Sequence, residues 1–238
     1  VDGTNVEYKK WCTKGISYAR TPDDTAALPT VNGTNIDETQ QIKYYHGFYI
    51  GRYEAGVPAN QTTIDGTKGD GSTSKSDADG IPIVQKDATV WTNISYDKAM
   101  PNAKSFINTA NVKSGLLTGT AWDTVCAWIQ GETDLEGNPI HDVINDSKSW
   151  GNYSNDTVNA DNNRKEVTGF SENWKAKNIY DFAGNTWEWI GESYDSTGRI
   201  IRGGNYEHDG STYPASYRWN GPPVIVDNVS FRLLLYVM

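Results

Sequence analysis

The sequence predicts one domain of mixed helix and strand with a large share of irregular loop, and three observations carry that expectation. Only two stretches show helical periodicity, the chain ends on an apolar strand-like run, and 23 glycines are spread among polar segments whose turns they relax. At 238 residues, with 37% hydrophobic content and 9 tryptophans, the chain can bury one sizeable core, and a second full domain is not expected. The expected domain therefore spans residues 1–238.

Taken in chain order, residues 44–54 (YYHGFYIGRYE) have the aromatic and β-branched content of a strand. Residues 56–80 are almost wholly Gly, Ser, Thr, Asp, Asn and Lys, which cannot bury a core and read as a loop insertion within the domain. Ala99, Ala103, Phe106 and Ile107 then recur at helical spacing over 95–107, with Pro101 imposing a kink or a late start. The second helix is clearer. Thr118 or Thr120 can cap it, Trp122, Val125, Cys126 and Ile129 share one face, and Gly131 ends it, so its tryptophans read as core. Residues 132–177 are rich in Asn and Asp and lack periodicity, a length of irregular chain that tends to be functional or held by ions. The run VSFRLLLYV at 229–237 is apolar on both faces and reads as a central strand.

Composition also excludes. A formal charge of −9 has the wrong sign for a nucleic-acid or anionic-membrane partner, whose phosphates need lysine and arginine. No apolar run approaches the roughly 20 residues that span a bilayer, so membrane insertion is not expected. The start VDGTNVEYKK has no apolar signal region, and because it lacks an initiator Met, export stays open. Cys12 and Cys126 lie far apart and form no disulfide framework; Cys126 reads as a small buried hydrophobe. His46, His141 and His208 are isolated, with no i,i+4 pair to chelate zinc.

Four segments in order carry a resemblance: GFYIGRYEAG at 47–56, LLTGTAWDTVCAWI at 116–129, IYDFAGNTWEWIGE at 179–192, and RIIRGGNYEHDG at 199–210 followed by VSFRLLLY. The most specific part is Gly184-Asn185-Thr186-Trp187-Glu188-Trp189 with Arg202-Gly203-Gly204 shortly after. Together they resemble the formylglycine-generating, sulfatase-modifying branch of the C-type-lectin-like fold. That resemblance implies a compact α+β fold, two helices packed around small antiparallel sheets with much loop. It also implies an activity this chain lacks the groups for. The enzymes oxidise a substrate cysteine at a copper site made by two cysteines between RGG and the final strand, and residues 205–228 contain none. A thiolate is both the soft ligand and the redox group, so no catalytic residue and no redox cofactor are expected.

The same resemblance implies a structural calcium ion, held by the Asp181 and Glu188 side chains with the carbonyls of Gly184 and Thr186, a hard-oxygen set of the kind Ca²⁺ takes. The alternative is that Glu188 and Asn185 satisfy buried backbone donors while Trp187 and Trp189 are core. The branch further includes the variable proteins of diversity-generating retroelements, whose contact residues precede a terminal strand like this one. Adenine-directed mutagenesis of asparagine codons yields the residue types that make up most of 205–228, apart from Glu207, Arg218 and Trp219. The expected ligand-binding residues are Asn205, Tyr206, His208, Asp209, Ser211, Tyr213, Tyr217, Trp219, Asn220, Val224, Ile225 and Asp227: rigid aromatics with adaptable hydrogen-bonders. The alternative is an ordinary loop in which Tyr217 and Trp219 fill a core; exposure of Val224, Ile225 and Val226 would favour a contact surface. The expected role is a non-catalytic protein of a phage tail or bacterial surface that binds a protein or glycan receptor on a cell surface. The competing role is a formylglycine-generating-type oxidase or its inactive relative.

Overall fold

The computed structural model describes Leu28 and residues 30–31, 34–58, 77–156, 164–195, 198–221 and 226–238. The glycine-rich stretch 59–76, Cys12, Val224 and Ile225 lie outside the described residues.

Helix α1 spans Glu38–Tyr45, where a strand over 44–54 was expected; only Tyr49–Ile50 of that segment pairs, as β3. The reason is local. Asp37 caps the helix by accepting from the Gln40 amide at 3.0 Å, and His46 ends it in the left-handed region at φ 61. Its apolar content is small, and tertiary contact holds it instead: the buried Gln41 side chain donates to the Val237 carbonyl and accepts from the Val237 amide, each at 3.0 Å. Helix α2, Tyr96–Ser105, runs through Pro101, so the expected late start does not occur. Asp77 accepts from both the amide and the hydroxyl of Ser95, at 2.9 and 2.8 Å, and so fixes the helix start. Helix α3, Gly119–Gln130, is as expected: Thr118 accepts from the Ala121 amide at 3.1 Å, Gly131 caps the end, and Trp122, Val125, Cys126 and Ile129 are buried.

Among the described residues there are two short antiparallel ribbons, β1 (Thr30–Val31) with β2 (Thr34–Asn35) and β5 (Lys175–Ala176) with β6 (Ile179–Tyr180), and two larger sheets. The C-terminal run is not one strand. Arg232 divides it into β10 (Val229–Phe231) and β11 (Leu233–Val237), which join different sheets. Strand β11 is central between β3 and β4 (Val112–Leu116), antiparallel to both. The other sheet has the order β10-β7-β8-β9, with β7 Trp187–Ser193, β8 Arg199–Arg202 and β9 Arg218–Gly221. Strand β10 runs parallel to β7, and the remaining neighbours are antiparallel.

Among the described residues the core has two parts. One gathers Trp122, Phe182, Tyr153 and Ile190 around α3, with the Trp122 and Phe182 rings stacked at 4.1 Å. The other gathers Trp91, Tyr96, Trp187, Trp189 and Phe231. The described part of 132–177 is irregular as expected, and buried Trp150, Tyr153 and Trp174 pin it down. Cys126 is a buried thiol, outside any disulfide, in the α3 core. Among the described residues no helix is long and apolar enough to cross a membrane.

Candidate functional site

The segment between β8 and β9 leaves the sheet through Gly203 and Gly204, both at positive φ (97 and 76). A Cβ on Gly204 would stand 2.5 Å from the Tyr213 carbonyl and 2.6 Å from the Tyr153 ring, so only glycine lets the loop fold back this closely. The loop is then held mainly by its own backbone. Gly203 accepts from the Gly184 amide at 2.9 Å and the Tyr153 hydroxyl at 2.7 Å; His208 accepts from the Ser154 amide at 2.9 Å and Gly210 from the Ser147 amide at 3.1 Å. Further on, the Ala215 carbonyl accepts from the Trp122 indole at 3.0 Å and the Ser216 amide donates to Val143 at 2.9 Å.

On this frame five rings meet. Trp187, 2% exposed, is the floor: His208, Tyr213, Tyr217 and Trp219 lie 5.7, 6.0, 5.9 and 5.8 Å from it, centroid to centroid. The upper rings also touch one another. His208 lies 4.4 Å from Tyr213, Tyr217 lies 4.7 Å from Tyr213, and Tyr213 stacks on Trp219 at 5.5 Å with 12° between planes. Strand geometry explains the placement of Trp219: Trp189, Ile201 and Trp219 are cross-strand partners on β7, β8 and β9, and the β9 member, at the sheet edge, is left 38% exposed. Burial lowers the His208 imidazole from its ordinary value, which favours the neutral ring at pH 7, and its Nδ1 has no hydrogen-bond partner.

Of the expected contact residues, His208, Asp209, Ser211, Tyr213, Tyr217, Asn220 and Asp227 are half-buried and Trp219 is exposed. Asn205 and Tyr206 are corrected: both are buried and face inward. The Asn205 carboxamide accepts from the Glu207 amide at 3.2 Å, while the Tyr206 hydroxyl donates to Glu207 at 3.2 Å and its ring lies beneath the Lys165 ammonium. They build the loop rather than its outer face. Asp209 is held ionised, below its ordinary range, by the Ser211 hydroxyl and the amides of Ser211 and Thr212. Asn220 stands on β9 opposite Ile200, away from the ring cluster's contacts. Val226 packs partly on the second core cluster. Arg218 forms a buried ion pair with Glu192 and belongs to the framework.

Two participants escaped sequence reasoning. Trp187 read as core alone, yet its period-2 relation to Trp189 along β7 places both on the face toward this loop. Lys165, in the Asn-rich stretch, is buried and donates to the Asp227 carbonyl, tying 165 to the segment before β10; burial lowers its ammonium from the ordinary value.

The residues expected to hold calcium lie beneath, in a wholly buried cluster. The Arg232 Nε donates to both Glu188 oxygens, at 3.0 and 3.1 Å, and its Nη2 to Glu188 Oε1 at 2.6 Å. Its remaining donors reach the Gly51 and Tyr180 carbonyls, each at 2.9 Å. Glu54, which sequence reasoning missed, accepts from the Thr186 hydroxyl and, at 2.6 Å, from the Asn185 side-chain carboxamide. Asp181 accepts from the Gly169 amide at 2.6 Å through Oδ2, whereas its buried Oδ1 has no hydrogen-bond partner. One guanidinium thus faces three buried carboxyls. Burial pushes Glu54 well up, raises Glu188, and lifts Asp181 to about 7. Asp181 Oδ1 is open to a cation, while Glu188 would have to share its oxygens with Arg232. Among the described residues no group of three or more His, Cys, Asp or Glu side chains is placed to hold a metal ion.

No curated protein matches the sequence. Among solved structures, PvdO from Pseudomonas aeruginosa aligns at a TM-score of 0.50 and 14% identity over 79% of this chain and 80% of that one. Treponema denticola variable protein 1 aligns at 0.47 and 15% over 87% of this chain and 97% of that one. CarF aligns at 0.42 and 16% over 59% and 55%. The α+β architecture of small sheets, helices and much loop agrees with that of PvdO. The model of the sulfatase-modifying factor enzyme 1-like domain matches residues 15–236, nearly the whole chain, and the protein belongs to that family.

Proposed function

We propose that this chain is a non-catalytic binding protein that displays a diversified contact surface on its C-terminal face, as the variable proteins of diversity-generating retroelements do. The observation that carries the reading is the ring cluster in which Trp187 of β7 and Trp219 of β9 meet His208, Tyr213 and Tyr217 of a loop whose main-chain hydrogen bonds do not use those side chains. Rigid aromatics on the same loop as Asp209 and Ser211 are the chemistry of a paratope: large contact area at low entropy cost, with adaptable hydrogen bonds around it. The partner is a protein or glycan receptor on a cell surface, and the setting a phage tail or a bacterial surface. A structural calcium ion belongs to the same reading: Asp181 Oδ1 and the carbonyls of Gly184 and Thr186, with Glu188 shared, would hold it and offset the cluster's excess negative charge.

Family membership favours one other reading, a formylglycine-generating-type oxidase or its inactive relative. Against activity stands the interval 205–228, which contains no cysteine to serve as copper ligand and redox group. Two experiments decide. Sequencing the 3′ end of the gene across isolates should find substitutions at 208, 209, 211–213, 217 and 227, at adenine positions of a near-copy template beside a reverse-transcriptase gene; an invariant segment sinks the display reading. A sulfatase-derived cysteine peptide incubated with the protein and copper should give no product, and any copper-dependent product establishes the enzyme.

A further inference from the structure

The aromatic face has a charge setting that narrows its partner. Three carboxylates sit on the two loops at this end of the sheet: Glu207 is exposed beside His208, Asp209 follows it, and Asp227 lies on the next loop, before β10. Glu207 and Asp227 both act electrostatically on Tyr206 and Lys165, so they share one neighbourhood. The nearby cations are committed elsewhere. Lys165 is buried on the Asp227 carbonyl, and Lys148, which senses Asp209, pairs with Asp146 at 2.9 Å. Elsewhere in the chain arginines and lysines stand over rings: Arg199 over Tyr96 at 4.7 Å, Arg52 over Tyr180 at 5.4 Å, Arg202 over Trp122 at 5.8 Å. Among the described residues none stands over Trp187, Tyr213, Tyr217 or Trp219.

The rings themselves fill their own interior. Centroid spacings of 4.4–6.1 Å leave no slot for a group to enter between them, so the cluster is a platform and not a cage. A flat cation suits a platform: a guanidinium stacks on an indole or phenol face, attracted by the ring quadrupole, while its edge N–H groups reach outward to carboxylates.

Resting on the binding reading above, we propose that this face recognises an exposed arginine of a protein partner, stacked on the exposed ring of Trp219 with its N–H groups directed to the Glu207 and Asp227 carboxylates, Glu207 sharing its oxygens with Tyr206 and Asn228. The overall charge of −9 would also steer a basic partner toward the protein.

The test uses the full chain and a short Gly-Arg repeat peptide, with the same peptide carrying citrulline, which keeps the planar shape and loses the charge, and a panel of neutral glycans. Binding is read by tryptophan fluorescence and calorimetry. The arginine peptide should bind saturably, the citrulline peptide at least tenfold more weakly, and added salt should weaken the former. Trp219→Ala should lose about tenfold in affinity with an unchanged melting temperature, Trp219→Phe should retain most of it, and Glu207→Gln should flatten the salt dependence. Equal binding of the two peptides, or no arginine binding, overturns the proposal. A glycan that binds in place of arginine and is lost in Trp219→Ala overturns it too, while leaving the surface reading intact. An invariant 205–228 across isolates would instead sink the display reading alone.

Discussion

Trp187 and Trp219 stand 5.8 Å apart within one cluster, yet substitution should treat them oppositely. Trp187 is closed in by the core on one side and the loop rings on the other, so Trp187→Ala leaves a cavity that neighbours cannot refill and should cost about 3–5 kcal/mol. Trp219, 38% exposed on an edge strand, should cost less than about 1 kcal/mol in urea titrations when changed to Ala. Equal losses would mean that both are core. At Asp181 the same scale yields a pH dependence. Burial lifts the carboxyl to about 7 in the folded chain from its ordinary 3.8, so between those values the folded state holds a proton that the unfolded state has released. Its contribution is therefore present at low pH and lost as pH rises through about 7; the raised Glu54 and Glu188 act in the same direction. Urea midpoints should fall from pH 5 to pH 8, with a limit on the order of 4 kcal/mol for Asp181. Asp181→Asn should give a shallower slope, and a midpoint that rises with pH would contradict this assignment. Calcium reverses the linkage, since a bound cation favours the ionised carboxyls: millimolar Ca²⁺ should raise the midpoint at pH 8 and scarcely at pH 5, and no response at pH 8 would leave Arg232 and protonation as the cluster's balance.

At the scale of elements, what could be read in advance depended on whether a segment's order comes from its own pattern. Helix α3 was legible from cap to C-terminus because a Thr cap, one apolar face and a closing Gly all agree; Thr118→Ala should cost about 1 kcal/mol, since it frees the buried Ala121 amide. Helix α1 was not, because it has little apolar periodicity and depends on the Gln41 clasp with Val237, a contact nearly the whole chain length away. The break in the C-terminal strand had a visible sign, an arginine within an apolar run, whose partner Glu188 lies in the family motif. The binding interval was legible as a place but not as a pattern of in and out. Asn205 and Tyr206 turn inward because Gly203 and Gly204 route the main chain back under Tyr153, and composition carries no trace of that route. The route itself can be tested. Gly204→Ala meets the Tyr213 carbonyl at 2.5 Å and needs a left-handed backbone, so it should cost at least about 2 kcal/mol and loosen the loop, seen as faster amide exchange at Tyr213 and Ser154. A variant as stable and protected as the parent would show that the loop has another way through.

For the whole molecule, a display surface can vary only if folding does not depend on the residues displayed. The architecture separates the two roles. The last two strands, divided at Arg232, lock both sheets together, and the loop between β8 and β9 is tied down by carbonyls and an amide at Gly203, His208, Gly210, Ala215 and Ser216, groups that every substitution except proline retains. The side chains at Ser211, Thr212, Tyr213 and Trp219 lie outside that bonding, apart from the Ser211 hydroxyl on Asp209. A set of variants with these four positions replaced together by mixtures of Asn, Tyr, Ser, Asp and Ala should therefore remain folded, each within about 2 kcal/mol of the parent in urea titrations and with one cooperative transition. The same treatment of Asn205, Tyr206 and Trp187 should leave few folded members, since those side chains are buried beneath the loop. If both sets collapse alike, the rings are an ordinary outer layer of the core and the display reading loses its physical basis. If the first set survives and the second does not, the boundary between frame and surface runs between Tyr206 and His208.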